Sequence, residues 1–254
     1  MILRTQAEHL YERYLGWQCK HIPGHIAIIQ DGNRRYARLN NVGTIEGHRA
    51  GAQATLRVLE WAQDLGVRTI TLYSFSTENF KRDEAEVDYL FDLFKEKFAE
   101  IPTDDRIHKN QIRVQMIGDR SMLPRDLLSL IESAEDATRH YSRYFLNIAL
   151  AYGGRNEIVH AARRVVEGVR EGNLKADAIT SKTVEHHLYD GAPLPPVDLI
   201  VRTGNERRTS NFLPWMANGN ECAVYFCAPY WPVFRKIDLM RAIRVYDQRM
   251  RRHR

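Results

Sequence analysis

The chain has 254 residues, 44% of them hydrophobic and 27% charged, which is enough apolar material for one substantial globular core. Its net charge of +5 is unevenly spread: residues 235–254 hold eight basic and two acidic residues, a local +6, so residues 1–234 sum to −1. A nucleic-acid face needs Lys and Arg distributed over a folded surface, so DNA and RNA are not expected partners; a basic end suits an anionic membrane surface or a solvated terminus. Cys19, Cys222 and Cys227 are odd in number and form no C-x-x-C pair, which argues against a disulfide framework or a zinc site and for a reducing, cytoplasmic compartment. The longest charge-free stretch, 222–234, is broken by Pro229 and Pro232, and the N-terminus is charged where a signal peptide needs its apolar run. Neither a membrane span nor an export signal is expected.

Residues 1–20 read as an amphipathic helical segment. Beyond them, apolar β-rich runs at 25–30, 69–76, 112–118, 144–150, 197–202 and 222–227 alternate with helical periods near 48–65, 84–101, 124–140, 155–171, 180–189 and 237–250. Most of the runs are continuous Ile, Val, Leu and Tyr, the pattern of parallel strands covered on both faces. The order predicts an α/β fold, a single domain over 21–250 with a mostly parallel six-stranded sheet flanked by helices, and a basic end at 251–254. Ligands of such sheets bind beyond the carboxyl ends of the strands.

The first strand runs into Asp31-Gly32-Asn33-Arg34-Arg35-Tyr36. Glycine permits close backbone approach, exposed N–H groups and arginines suit phosphate oxygens, and Asp31 could hold a Mg²⁺ bridging to the same phosphates. An Asp-Gly-Asn turn with solvated arginines is the plain alternative. The second strand ends in Ser76-Thr77-Glu78-Asn79-Phe80-Lys81-Arg82, which also reads as an N-cap run for a helix near Asp83. The fifth ends in Arg202 and continues through Gly204, Arg207, Arg208, Thr209 and Ser210. Arginines at three matching strand tips point together to an anionic substrate. Neither G-x-x-x-x-G-K-[ST] nor G-x-G-x-x-G occurs, so that substrate is not expected to be a nucleotide.

The helix at 84–101 carries Val87, Leu90, Phe91, Phe94, Phe98 and Ile101 on one stripe. Such a stripe packs a core or, beginning just after a phosphate-type loop, walls a channel for a hydrocarbon tail, with Leu93, Phe94 and Ile101 as wall positions. A diphosphate head with an apolar tail describes an isoprenoid.

The motifs HIAIIQDGNRRYA, GHRAGA (47–52), TLYSFSTENFKR (71–82), LNIALAYGGRNEI (146–158), VDLIVRTGNERRTSNFLPW (197–215) and YWPVF (230–234) together resemble the cis-prenyltransferase family of undecaprenyl diphosphate synthase type, from about His21 to Arg249. The resemblance implies a homodimeric α/β fold with a hydrophobic tunnel. It implies a Mg²⁺-dependent condensation of isopentenyl diphosphate with a C10 to C20 allylic diphosphate, giving a cis-polyprenyl diphosphate for a glycosyl carrier lipid. In its terms Asp31 is the catalytic aspartate and a metal ligand, Glu221 completes the metal site, and Asn79 assists proton removal. Gly32, Asn33, Arg34, Arg35, Tyr36 and His48 belong to the allylic diphosphate, with Ser76, Thr77, Glu78, Phe80 and Arg82 as further substrate contacts. Arg202, Arg208, Thr209 and Ser210 belong to isopentenyl diphosphate. The helical D-D-x-x-D pair of trans-type enzymes is absent, because Asp104-Asp105 is followed by Arg106, Ile107 and His108.

Against many members of that family, Arg34 and Asn205 replace glycines, Thr44 replaces an arginine and Arg207 a histidine. The segment 216–224 is about two residues longer than in bacterial members and resembles archaeal ones. Two alternatives follow: an atypical prenyltransferase making short or branched products or using another acceptor, and a non-catalytic subunit of a hetero-oligomeric synthase.

Overall fold

The computed structural model describes residues 2–188, 194–217 and 222–252, with the side chains of residues 2–7 and 9 set aside. Six strands, β1 (His25–Ile29), β2 (Thr69–Tyr73), β3 (Ile112–Ile117), β4 (Tyr144–Ala149), β5 (Leu199–Arg202) and β6 (Ala223–Phe226), form one sheet in the order β3-β4-β2-β1-β5-β6. Every pairing is parallel. Helices α1 (Ile2–Gln18), α2 (Asn33–Leu39), α3 (Thr44–Asp64), α4 (Glu84–Glu100), α5 (Asp105–Asn110), α6 (Arg125–Thr138), α7 (Gly154–Arg170), α8 (Ser181–His187) and α9 (Lys236–Arg252) connect and flank the strands.

The continuous apolar runs become strands because both faces of the sheet are buried. Ile26 and Ile28 of β1 join one hydrophobic cluster with residues of α3, α4, α6 and α9. Ala27 and Ile29 join a second cluster that includes Ala161 of α7. Inside the sheet a polar file crosses three strands: Asn147 Nδ2 donates to Thr71 Oγ1 at 2.9 Å, and Thr71 lies 2.7 Å from His25 Nε2. His25 Nδ1 lies 2.9 Å from the Pro195 carbonyl, which requires a proton on Nδ1 and leaves Nε2 to accept from Thr71. Burial lowers the His25 pKa from 6.5, in keeping with that neutral ring.

Element limits shift by a few residues. The run 69–76 leaves the ladder after Tyr73, although Ser74 and Phe75 still donate to the Ala149 carbonyl. The helix expected at 48–65 starts at Thr44 behind Gly43, and the end of the 180–189 period lies outside the described residues. Helix α5 is not evident in the sequence: it is six residues long, capped by the Asp104 side chain on Arg106 N and closed by Gln111 at φ 54°. The basic stretch that begins at Arg235 is helical over Lys236–Arg252, and residues 253–254 lie outside the described residues. Arg235 pairs with Glu8 and Asp238, Arg241 with Asp238, and Arg251 with Asp247. No helix among the described residues is long and apolar enough to cross a membrane.

β1 has β2 on one side and β5 on the other, so the connections leave β1 in opposite directions and open a crevice at its carboxyl end. Asp31 and Arg202 meet there.

Candidate functional site

Asp31 lies two residues beyond β1, its backbone fixed from β5: its N–H donates to Thr203 Oγ1 at 3.0 Å, and Thr203 returns a 2.7 Å bond to the Asp31 carbonyl. The carboxylate is shared by two guanidiniums, Oδ1 with Arg35 Nη2 and Oδ2 with Arg202 Nη2, both at 2.8 Å. Gly32 turns the chain at φ 117°, and a Cβ there would sit 2.7 Å from the Tyr230 ring. That ring in turn lies 5.3 Å from the Arg35 guanidinium, a cation–π contact that holds the arginine over the site.

A second unit surrounds Glu86, whose carboxylate is only 10% exposed. It accepts from Arg82 Nη1 at 2.9 Å and faces His48 Nε2 at 3.1 Å, with Arg34 Nε 3.6 Å away. On its other side His48 Nδ1 stands 3.5 Å from the Asn33 amide. Burial lowers the His48 pKa, and a neutral ring donating to Glu86 fits both contacts. Asn33 in turn lies against α3 at Gly51, where a Cβ would come within 2.6 Å of its amide oxygen. Asn33, Arg34, His48 and Arg82, chosen from three separate motifs, are thus tied to one buried carboxylate. Glu86 itself has no role in the sequence reading, although its spacing of four from Arg82 on the first turn of α4 is a legible pairing signal.

At the second strand tip Asn79 Oδ1 accepts from Ser76 N at 3.0 Å, pinning the turn Thr77–Lys81. At the third, Arg202 Nη1 donates to Ser210 Oγ and, at 2.6 Å, to the Arg208 carbonyl. Ser210 and Asn211 hold positive φ values of 49° and 61°, backbone strain localised at the site. Asn205 stands at φ 60°, a conformation Asn tolerates better than most residues. Arg202 is 4% exposed and its Nε is buried with no partner among the described residues. Glu206, also given no role from sequence, bonds Arg208 Nη1 at 2.6 Å and lies 3.7 Å from Arg35.

These groups surround the mouth of a cavity of about 1290 Å³. Asp31, Gly32, Asn33, Arg34, Arg35 and His48 line it from the first tip, Ser76, Thr77, Glu78, Asn79 and Arg82 from the second, and Arg202, Arg208 and Ser210 from the third. Tyr36 and Thr209 are absent from the lining, and Phe80 packs edge-on against Phe75 at 4.9 Å. Glu221 lies outside the described residues. Away from the mouth the walls are mainly apolar, with Leu56 and Leu59 of α3, Leu146 and Ile148 of β4, and Leu90, Leu93, Phe94, Phe98 and Ile101 of the α4 segment, interrupted by the charged Lys97, Glu100, Asp104 and Arg106. On the α4 stripe Val87 and Phe91 belong to the core alone, whereas Leu90, Phe98 and Ile101 belong to the same core cluster and also line the cavity, with Phe94 packed beside them.

No group of three or more His, Cys, Asp or Glu side chains placed to hold a metal occurs among the described residues. Among the described residues Asp31, Glu78 and Glu206 offer carboxylates at the mouth of the cavity, and that of Asp31 stands between Arg35 and Arg202, guanidiniums that suit phosphate oxygens. One carboxylate with substrate phosphates and water is a usual Mg²⁺ donor set, so the residues present fit that ion. Burial pushes the Cys222 and Cys227 thiols up to about 11 and about 12, which keeps both protonated and inert.

The prenyltransferase family model that describes undecaprenyl diphosphate synthases matches residues 29–254. A tritrans,polycis-undecaprenyl-diphosphate synthase (geranylgeranyl-diphosphate specific) of Methanosarcina mazei is 51% identical over 230 residues, covering 90% of this chain and 77% of that one. A protein of the same name from Haloarcula marismortui is 49% identical over 239 residues, covering 94% and 78%. Among solved structures, lavandulyl diphosphate synthase from Lavandula x intermedia, in complex with dimethylallyl diphosphate, superposes with a TM-score of 0.81 at 33% identity, covering 89% of this chain and 95% of that one.

Proposed function

Because the chain belongs to the undecaprenyl diphosphate synthase family of prenyltransferases, we propose that it extends geranylgeranyl diphosphate with isopentenyl diphosphate to a long cis-polyprenyl diphosphate, a precursor of a glycosyl carrier lipid. The observation that carries this reading is a single cavity with arginines and Asp31 at its mouth and Leu, Phe and Ile along its length. An apolar cavity of about 150 Å³ accepts a six-carbon guest, so a volume of about 1290 Å³ has room for tens of carbons. The geranylgeranyl starter is the one named for the Methanosarcina and Haloarcula relatives.

In this reading the allylic C–O bond breaks, the diphosphate departs with the electron pair, and the isopentenyl double bond supplies the pair for the new C–C bond. Loss of a proton then sets the new cis double bond. Arg34, Arg35 and Arg82 would bind the allylic diphosphate, with Gly32 and Asn33 giving it close backbone approach and Glu86 and His48 fixing the arrangement. Arg202, Arg208 and Ser210 would bind isopentenyl diphosphate, whose oxygens offer the buried Arg202 Nε the acceptor it lacks. Asp31 would hold Mg²⁺, and that ion would supply neutralisation of the charge growing on the leaving group. Asn79 would orient the proton's departure; a carboxamide is too weak a base to keep it, and the released diphosphate is the basic group at hand.

The homodimer and a membrane surface as the place of product release belong to the same proposal. Leu10, Tyr14 and Trp17, all exposed, follow one another at i, i+4 and i+7 on α1, which packs beside the arginine-rich α9. Apolar and cationic halves of this kind suit an anionic bilayer interface. Incubating the purified chain with labelled isopentenyl diphosphate, geranylgeranyl diphosphate and Mg²⁺ tests the activity: long cis products support it, and no incorporation contradicts it.

A further inference from the structure

A fourth strand tip also reaches the main cavity. Beyond β4 the chain runs through Tyr152-Gly153-Gly154-Arg155-Asn156 into α7, and Arg155 and Asn156 line the cavity. This tip is stitched to two of the others. Thr77 N donates to the Tyr152 carbonyl at 3.0 Å, Gly154 N to the Asn211 carbonyl at 3.0 Å, and Arg155 N to Asn211 Oδ1 at 2.9 Å. The glycine pair permits the close approach, because a Cβ on Gly153 would lie 2.8 Å from Thr77 Oγ1 and one on Gly154 2.8 Å from the Asn211 carbonyl oxygen. Asn211 follows Ser210, whose hydroxyl Arg202 holds, so Arg155 and Arg202 are attached to neighbouring residues of one loop.

Six of the eight arginines that line the cavity are committed to carboxylates: Arg35 and Arg202 to Asp31, Arg34 and Arg82 to Glu86, Arg208 to Glu206, and Arg106 to Asp104. Among the described residues the side chains of the other two, Arg38 and Arg155, have neither a hydrogen bond nor an ion pair. Glu157, two residues beyond Arg155, is occupied by the Tyr152 hydroxyl at 2.6 Å. Arg38 belongs to α2 and the first tip, whereas Arg155 is fastened to the third loop. In that loop the charges of Arg202 and Arg208 are offset by Asp31 and Glu206, so Arg155 alone brings an excess cation to it.

Taking the activity proposed above as premise, we propose that Arg155 is a further binding residue for isopentenyl diphosphate, adding an uncommitted guanidinium to the site of Arg202, Arg208 and Ser210. Its planar fork suits two phosphate oxygens at once, and it gives up no internal partner when it takes them.

The test uses calorimetry of the full chain with isopentenyl diphosphate and Mg²⁺, without an allylic substrate so that no turnover occurs, together with steady-state KM values for both substrates. Arg155→Gln is expected to weaken isopentenyl diphosphate binding and to raise its KM by roughly tenfold, the scale of one lost charged hydrogen bond, with KM for geranylgeranyl diphosphate close to its original value. Arg155→Lys, which keeps the charge without the fork, is expected to fall between. Arg38→Gln removes the other unpaired cation and reports any general loss of positive potential at the mouth; it is expected to weaken isopentenyl diphosphate binding less than Arg155→Gln does. Because the Arg155 guanidinium has no internal partner to lose, the melting temperature of Arg155→Gln should match that of the unaltered chain. Unchanged isopentenyl diphosphate affinity in Arg155→Gln, equal weakening by both glutamine variants, or a rise in KM for geranylgeranyl diphosphate alone overturns the proposal. If the unaltered chain neither binds nor incorporates isopentenyl diphosphate, the activity reading fails first, and that result is distinct from a variant that binds as well as the unaltered chain.

Discussion

Asp31 and Arg202 stand 171 residues apart in sequence and 2.8 Å apart in space, joined carboxylate to guanidinium across the crevice between β1 and β5. The arginine arrives as the last residue of its strand and the aspartate just beyond the end of its own, so sheet register alone brings them together. Arg202 also donates to the Ser210 hydroxyl and the Arg208 carbonyl, which makes it the link between the Asp31 carboxylate and the third loop.

Arg202→Lys keeps the positive charge and removes the planar fork. Lysine cannot hold Asp31, Ser210 and the Arg208 carbonyl together, and a lost charged hydrogen bond costs about 1.5–3 kcal/mol. Steady-state kinetics should show kcat/KM for isopentenyl diphosphate reduced by roughly tenfold or more; an unchanged value would remove Arg202 from the binding role assigned to it.

Glu86→Gln should loosen three side chains at once. The neutral amide keeps one acceptor but loses the charge that Arg82 and Arg34 face, in a site only 10% exposed. KM for the allylic diphosphate is expected to rise more than KM for isopentenyl diphosphate, because Arg34, His48 and Arg82 are the side chains around Glu86 and are those proposed to serve the allylic diphosphate. The melting temperature should fall by roughly 4–8 °C, the consequence of about 2 kcal/mol in a chain of this length. Equal changes in both KM values would mean that Glu86 does not act chiefly on the site proposed for the allylic diphosphate.

Glu206 competes for the cations that a diphosphate needs, since it already bonds Arg208 and lies near Arg35. Glu206→Gln removes that internal anion. Binding of inorganic diphosphate, followed by calorimetry, should strengthen by a few-fold, and weaker binding would instead make Glu206 an organiser of the loop.

Acid should destabilise the fold beginning near neutral pH. Burial lowers the pKa of His25 and of His48 below 6.5 in the folded state, so the unfolded chain binds more protons as pH drops past that value. The stability that depends on the neutral rings is complete above 6.5 and declines until the folded-state values are passed. Protonation of His25 would set Nε2–H against Thr71, whose oxygen already accepts from Asn147. Urea unfolding at pH 7.5, 6.0 and 5.0 should show the decline, and His25→Asn should flatten it while lowering stability at pH 7.5.

Much of this arrangement is legible in the sequence because parallel strands read as unbroken apolar runs and because their tips carry chemistry in compact motifs. The α4 stripe is harder: its period fixes one apolar face, yet whether Phe94 meets a core or a cavity depends on how far α3 stands from the sheet. Glu86 is hidden for the opposite reason, being one acid among several on a helix whose polar face reads as solvated. Phe80 lies within a substrate-type motif, but the same ring is drawn into the Phe75 and Phe91 cluster, which no spacing rule reveals. Helix α5 is too short to establish a period, and with it the Asp104–Arg106 pair stays invisible until the chain is folded.

Prenyl transfer is expected to depend on Asp31, which stands where three arginine-bearing strand tips meet. Turnover of labelled isopentenyl diphosphate with geranylgeranyl diphosphate and Mg²⁺ should fall by roughly a hundredfold to a thousandfold in Asp31→Ala, the scale of losing one principal electrostatic stabiliser, with circular dichroism and melting temperature close to those of the unaltered chain. Near-normal turnover in that variant would mean that the Asp31 carboxylate is dispensable to the reaction.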